Sequence, residues 1–121
     1  MKKKILVIDD DSDFIDVYTA KLQAAGYDAR GEKDAEEARW VIRDFVPDLV
    51  ILDLNMPGIS GFELMVSLPR EIGDRPLPII VFTGREVSTD EQESYRLGAN
   101  SFFIKNRDDA ALMRKIKEIL G

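Results

Sequence analysis

The sequence predicts an α/β domain with a doubly wound sheet of five parallel strands and helices on both faces. Four short runs are almost wholly apolar, which is typical of strands buried on both sides. These runs are Ile5–Ile8, Leu49–Leu52, Ile79–Phe82 and Phe102–Ile104. Segments with helical spacing separate the strands, so right-handed crossovers are expected to join them. The chain has 121 residues and no linker, repeat or low-complexity segment, so residues 1–121 are expected to form one domain.

The first helix and the second strand follow the first apolar run. Apolar residues at helical spacing predict a helix over about Asp13–Ala25, which Ser12 or Asp13 can cap and Gly26 can end. Tyr27–Gly31 is partly polar, and this composition predicts a strand at the edge of the sheet.

Capping-box spacing marks the next two helices. Asp34 and Glu37 predict the start of the second helix, and Pro47 ends it because the residue before a proline disfavours helical geometry. Ser60 with Glu63 has the same spacing and predicts the start of the third helix, after the central apolar run.

The last third of the chain holds a loop and two helices. Gly73–Pro78 is predicted as a loop, and Ser88 with Glu91 opens a fourth helix that stops at Gly98. The few apolar positions of this helix are Tyr95 and Leu97. Because few buried contacts make an element easy to shift, the fourth helix is expected to change position easily. A fifth helix is predicted over about Asp108–Leu120, with one apolar stripe.

The composition excludes several classes of function. The formal net charge of −6 argues against nucleic acid as a direct partner of the domain and favours a basic partner surface. The chain has no histidine, which removes histidine triads, imidazole ligands and phosphohistidine chemistry on the chain itself. It also has no cysteine, so disulfides and thiolate zinc sites are excluded.

No export or membrane segment is predicted. Three lysines precede Ile5–Ile8, but this apolar run is too short for the core of a signal peptide. No other run is long enough to span a bilayer. We therefore expect no membrane partner and a cytoplasmic location.

Polar residues stand where the apolar runs end. Asp9 and Asp10 follow the first apolar run, and Asp53 follows the second. Thr83 follows the third run, and Lys105 follows the fourth. Because ligands of open parallel sheets bind outside the carboxyl ends of the strands, these five side chains are expected to converge.

Their chemistry points to magnesium and phosphate. Clustered carboxylates repel each other, by roughly 4 kcal/mol for unit charges about 4 Å apart at an effective dielectric near 20. Oxygen ligands without histidine or cysteine favour Mg²⁺, which prefers one or two carboxylates, water and a phosphate oxygen. Asp53 can then act as a nucleophile that forms an aspartyl phosphate, while Lys105 and the Thr83 hydroxyl stabilise the phosphoryl oxygens.

Each of these residues also has a purely structural interpretation. Asp9–Asp11 can serve the amino end of the first helix, and Asp53 can form a turn. Thr83 and Lys105 are individually uninformative. The functional interpretation rests on the combination, because four strands ending in complementary parts of one site is an improbable coincidence.

The motifs around these residues resemble the response-regulator receiver domain, the CheY-like family, and the resemblance covers almost the whole chain. The corresponding stretches are ILVIDDD, LVILDLNMPGISG, IIVFTG and GANSFFIK. The resemblance implies a flavodoxin-like fold with strand order 2-1-3-4-5 and five helices. It also implies a signalling module of a two-component system, rather than an enzyme, with only self-catalysed phosphoryl transfer and loss.

The resemblance assigns roles to single residues. It implies that Asp53 is phosphorylated, and that Asp10, Asp53 and the backbone carbonyl of Asn55 hold Mg²⁺, with Asp9 acting mostly through water. Thr83 and Phe102 resemble the family's switch pair, in which the hydroxyl moves towards the phosphoryl group and the ring turns inward.

The partners are likewise implied by the resemblance. The phosphoryl donor would be a sensor histidine kinase, a histidine phosphotransfer protein or a small acyl phosphate. Phosphorylation would change the face made by the fourth helix, fifth strand and fifth helix, through which an effector or a second copy could bind.

Three residues depart from the family pattern. The family usually has proline after the lysine, often with a cis bond, whereas Asn106 follows Lys105 here, so a trans bond and a different loop shape are expected. Gly84 follows Thr83 where alanine is common, which permits a more mobile loop. Phe102 lacks the hydroxyl of the frequent tyrosine.

Two other functions remain open at this point. One is a phosphatase of the haloacid-dehalogenase type, although Asp9-x-Asp11-x-Asp13 lacks the following Thr or Val and the chain has no residues for a cap. The other is an interaction domain that does not depend on phosphorylation, for which Asn106 is the only support.

Overall fold

The structure is a computed structural model that describes all of residues 1–121, in which strands and helices alternate. The strands are β1 (Lys4–Ile8), β2 (Asp28–Glu32), β3 (Leu49–Leu52), β4 (Glu71–Ile72), β5 (Arg75–Pro76), β6 (Ile79–Thr83) and β7 (Ser101–Ile104). The helices are α1 (Ser12–Ala24), α2 (Ala38–Phe45), α3 (Gly61–Ser67), α4 (Asp90–Arg96) and α5 (Asp109–Leu120).

Five of the strands form one parallel sheet in the order β2-β1-β3-β6-β7. Numbered among themselves along the chain, they have the order 2-1-3-4-5, so the predicted flavodoxin-like, doubly wound fold is confirmed. The partly polar strand β2 lies at the edge, as its composition predicts. β3 is central, and all four of its residues are buried. No helix has the length and apolarity that a membrane crossing would need.

The sheet separates two apolar clusters. Alternate residues of each strand point to opposite faces, so Ile5 and Val7 join one cluster while Leu6 and Ile8 join the other. Helices α1 and α5 cover the smaller cluster, and α2 and α3 cover the larger one. Both clusters lie against the central strands, which fixes the positions of the strand ends.

The structure corrects the start of two helices. Asp11 caps α1, because its side chain accepts hydrogen bonds from the backbone N–H groups of Asp13 and Phe14. The sequence predicted Ser12 or Asp13 as the cap, and this prediction is wrong. The capping box at Asp34 is also wrong, since α2 begins at Ala38 without a side-chain cap and Asp34 instead binds the N–H of Glu36. The Ser60 cap of α3 is confirmed by its bond to the N–H of Glu63.

The structure also corrects the last third of the chain. The segment predicted as a loop contributes β5 to a two-stranded antiparallel ribbon with β4, and Arg75 anchors this ribbon through a 2.8 Å ion pair with Asp48. Helix α4 begins at Asp90, later than Ser88 predicts, and Tyr95 is 46% exposed instead of packing inward. Its buried residues are Asp90 and Ser94, so α4 is held largely by polar contacts.

Candidate functional site

The carboxyl ends of β1, β3, β6 and β7 bring together the residues that the sequence singles out. Asp9 follows β1 and its N–H donates to the Glu32 carbonyl, while the N–H of Asp53, after β3, donates to the Ile8 carbonyl. The N–H of Lys105, after β7, donates to the carbonyl of Thr83 at the end of β6. The parallel register therefore fixes the backbone of each site residue.

Three carboxylates form the acidic part of the site. One oxygen from each of Asp9, Asp10 and Asp53 lies within 4.8 Å of the others. Asp9 and Asp53 are only 1% and 6% exposed, whereas Asp10 is exposed. Burial raises the pKa of Asp9, although hydrogen bonds from Lys105 and from the N–H of Asp11 act in the opposite direction. The cluster therefore requires positive charge nearby.

Lys105 supplies part of that charge. Its Nζ lies 2.6 Å from Oδ2 of Asp9 and 3.5 Å from Oδ2 of Asp53, and its side chain is 16% exposed. The other oxygen of Asp53, Oδ1, accepts a hydrogen bond from the N–H of Asn55 at 3.2 Å. Asp53 is thus fixed by a backbone donor on one side and faces an ammonium group on the other.

Thr83 and Phe102 lie on the neighbouring strands β6 and β7. Phe102 pairs in register with Val81, two residues before Thr83, so both side chains belong to the same face of the sheet. Phe102 is 9% exposed and packs in the larger cluster. Thr83 is fully buried, and its hydroxyl accepts a hydrogen bond from the N–H of Arg85 at 3.1 Å.

The loop after Lys105 contains no cis peptide bond, so the Lys105–Asn106 bond is trans, as expected without proline. Asn106 has a φ of 64°, a left-handed conformation that asparagine tolerates better than most residues. Asp108 closes the loop: its carboxylate accepts from the N–H of Ile104, and its own N–H donates to the Ile104 carbonyl. Asparagine at this position therefore fits a defined turn that retains the lysine in the pocket.

Two contacts at the site were missed by the sequence analysis. Arg85 lines the pocket and pairs with the buried carboxylate of Asp90 at 2.8 Å. The ring centroid of Phe14 lies 3.9 Å from Nζ of Lys105. Helical spacing identifies Phe14 as an inward-facing residue of α1, but no local pattern shows which side chain it meets.

The residues form an open pocket of about 530 Å³ without a hydrophobic lining residue. Asp9, Asp10 and Asp53 each have a carboxylate oxygen that could reach a cation there, and oxygen is the ligand type that Mg²⁺ prefers. Asn55 also lines the pocket. The buried, partly compensated negative charge fits such a cation.

Comparisons with known proteins agree with this geometry. The family model described as the response regulator receiver domain matches residues 5–117. The chain is 30% identical over 118 residues to the phosphate regulon transcriptional regulatory protein PhoB of Pseudomonas aeruginosa, covering 98% of this chain and 52% of that protein. It is 29% identical to the DNA-binding response regulator MtrA of Mycobacterium tuberculosis, covering 97% of this chain and 50% of MtrA. The chain thus spans about half the length of these relatives.

Solved structures give the same result. The BeF3-activated N-terminal receiver domain of Klebsiella pneumoniae RstA has a TM-score of 0.87 and 27% identity, with 98% of this chain and 100% of that chain covered. The chemotaxis protein CheY4 of Vibrio cholerae also has a TM-score of 0.87, with 26% identity and coverage of 99% and 100%. The chain belongs to the response regulator receiver domain family.

Proposed function

We propose that this chain is a phosphoacceptor that receives a phosphoryl group on Asp53 from a histidine-phosphorylated kinase or phosphotransfer protein. The observation that carries the proposal is the position of the Lys105 ammonium between Asp9 and Asp53, at the shared edge of four parallel strands. Membership of the receiver family supports it, since receiver domains are signalling modules of two-component systems.

In the proposed reaction, a carboxylate oxygen of Asp53 forms a bond to phosphorus. The P–N bond of the donor breaks, and its electron pair stays on the imidazole nitrogen, which takes up a proton from water. Lys105 balances charge on the transferred oxygens, and the hydroxyl of Thr83, which uses a lone pair to accept from Arg85, retains a proton to donate. Later hydrolysis returns inorganic phosphate and the free carboxylate.

Asp9, Asp10, Asp53 and the carbonyl of Asn55 are the residues that we propose hold Mg²⁺. When bound, the ion supplies charge neutralisation for the carboxylates and the incoming phosphoryl oxygens. The buried position of Asp9 and Asp53 supports this assignment, because two carboxylates removed from water need more compensation than one lysine provides.

Thr83 and Phe102 are proposed to report phosphorylation to the face formed by α4, β7 and α5. Their places on adjacent strands and the same face of the sheet support the pairing. This face is also where we propose that an effector or a second copy of the chain binds. The net charge of −6 supports a protein partner for residues 1–121 rather than direct binding of nucleic acid.

Intact mass spectrometry tests the proposal. We expect the protein to gain the mass of one phosphoryl group in acetyl phosphate and Mg²⁺, and Asp53→Asn to abolish the gain. Asp44→Asn is a matched control, because Asp44 is exposed on α2 and away from the pocket. An unchanged mass of the natural chain under these conditions would count against the proposal.

The two alternative functions are less well supported by the geometry. A haloacid-dehalogenase nucleophile would come from the Asp9-x-Asp11-x-Asp13 stretch, but the Asp11 carboxylate caps α1 and Asp13 lies exposed in the first turn of that helix. Steady turnover of a phosphomonoester would favour this alternative. The phosphorylation-independent alternative rested on Asn106, whose turn leaves Lys105 beside Asp53.

A further inference from the structure

We propose that Phe14 is a positioning residue for phosphoryl transfer, because its ring holds the ammonium group of Lys105 beside Asp53. The inference rests on the proposed function and adds a residue to it. The Nζ of Lys105 lies 3.9 Å from the centroid of the Phe14 ring, well within the range of a cation–π interaction.

A lysine needs such a contact more than an arginine would. The lysine ammonium is a compact charge on a flexible four-carbon stem. Hydrogen bonds alone therefore do not restrict the ammonium group to a single position. Here Asp9 and Asp53 attract Nζ at 2.6 Å and 3.5 Å, and the ring of Phe14 provides a third, apolar contact. Because the side chain is only 16% exposed, little water competes for the ammonium group.

The ring of Phe14 is itself held in place by the core. It stacks on Tyr18 with centroids 4.6 Å apart and contacts Phe82 of β6 at 5.8 Å. The hydroxyl of Tyr18 donates to the carboxylate of Asp109 at the start of α5. The position of the Lys105 ammonium therefore depends on an aromatic group that joins α1, β6 and α5.

The loop after the lysine makes this support more important. The Lys105–Asn106 bond is trans and Asn106 is left-handed, so the backbone that carries Lys105 follows its own local turn. Phe14 constrains the far end of the side chain, where the charge lies. During transfer from acetyl phosphate, an Asp53 oxygen bonds to phosphorus and acetate leaves with the electron pair of the broken P–O bond. An ammonium group already beside Asp53 can balance this charge without first being recruited from solvent.

Two substitutions separate the aromatic face from apolar bulk. Phe14→Tyr keeps the aromatic ring. Phe14→Leu removes the ring but keeps an apolar side chain. We expect Phe14→Leu to lower the rate constant of phosphorylation by acetyl phosphate and Mg²⁺ about two- to tenfold, and Phe14→Tyr to stay near the natural rate. Leu22→Val is the control for a general loss of packing, since Leu22 is fully buried and lies about two turns from Phe14 on the same helix.

A second measurement reports the contact without any reaction. Protons of the Lys105 side chain near an aromatic face are shifted upfield in NMR spectra. We expect this upfield shift in the natural chain and in Phe14→Tyr, and its loss in Phe14→Leu while Leu22→Val retains it.

The outcomes separate this inference from the proposed function. Equal phosphorylation rates for the natural chain and Phe14→Leu, or unchanged Lys105 shifts in Phe14→Leu, would overturn the role of Phe14. An equal slowing by Leu22→Val would overturn it as well, because the effect would then be one of packing. A natural chain that accepts no phosphoryl group would refute the proposed function, and the positioning role with it, even if the NMR contact is present.

Discussion

Replacing Lys105 by methionine tests the electrostatic basis of the site. The substitution keeps the length and apolar stem of the side chain but removes its charge. Asp9 and Asp53, whose side chains are 2% and 7% exposed, would then lie together without their buried cation. The free energy of unfolding without Mg²⁺ is therefore expected to fall.

The structure sets the size of this fall. Removing one partner of a buried ion pair costs about 3–5 kcal/mol, because the other charge stays buried and uncompensated. Asp10 is exposed and opens one side of the cluster to water, which reduces the loss, so we expect about 3 kcal/mol. Mg²⁺ at 100 times its dissociation constant for the variant should raise the free energy of unfolding of the variant by about 2.7 kcal/mol. At the same Mg²⁺ concentration, the gain in the natural chain should be smaller, because the Lys105 ammonium competes with the ion.

Urea unfolding followed by far-UV circular dichroism, in EDTA and in Mg²⁺, measures both effects. Lys115→Met is the matched control, because Lys115 makes only a partly exposed pair with Glu118 at 3.3 Å and should cost less than about 0.5 kcal/mol. A Lys105→Met variant within about 0.5 kcal/mol of the natural chain in EDTA would refute the reasoning.

The pH dependence gives a further check on the same variant. Burial raises the folded-state pKa of Asp9 above its ordinary value of 3.8, so the folded state binds this proton more tightly than the unfolded state does. Asp9 therefore lowers the free energy of unfolding above its folded pKa, and this cost shrinks as the pH falls from the folded pKa to 3.8. Because Lys105 lowers the Asp9 pKa, its removal should raise that pKa further, and the destabilisation should shrink at acid pH.

Single substitutions outside the carboxylate cluster test three local features. Gly61→Ala should lower the free energy of unfolding by about 2–3 kcal/mol in urea, since the new Cβ would lie 2.3 Å from the Leu54 backbone. Burial and the bond to Asp109 raise the pKa of Tyr18 above its ordinary value of 10, so its contribution to stability is complete below pH 10 and is lost as the pH rises from there through the folded pKa. Tyr18→Phe should remove that loss of stability and the matching step in an absorbance titration. Asn106→Pro should destabilise the domain by more than about 1 kcal/mol in the same urea assay, because proline cannot adopt the φ of 64°, while Asn106→Gly should be nearly neutral.

The fold could be predicted because its main signals are local. The apolar run of β3 is predicted with its observed bounds, since four consecutive buried residues need a strand with helices on both faces. The meeting of Asp53 with Lys105 follows from the same reasoning, because parallel strands end at one edge and both residues come directly after a strand. Topology alone therefore places these site residues near each other.

The features that escaped prediction depend on contacts between distant segments. Asp11 caps α1 instead of its neighbours because the N–H of Asp11 binds the Asp9 carboxylate, which fixes the entry to the helix. The contact of Phe14 with Lys105 joins residues 91 positions apart, and helical periodicity cannot identify the partner of a buried face. The ribbon of β4 and β5 has only two residues in each strand, which is too short for a strand pattern.

The polar anchoring of α4 suggests how a change at the phosphorylation site could reach the proposed output face. The N–H of Arg85 donates to the Thr83 hydroxyl, and the Arg85 guanidinium binds the buried carboxylate of Asp90 at the start of α4. If the hydroxyl moves towards a phosphoryl group, the Arg85 backbone must follow or give up this bond. Either change acts on an ion pair that a mainly polar, seven-residue helix depends on, because α4 buries Asp90 and Ser94 rather than large apolar side chains. A small movement at Thr83 is therefore expected to shift α4 before it disturbs the apolar clusters on either face of the sheet.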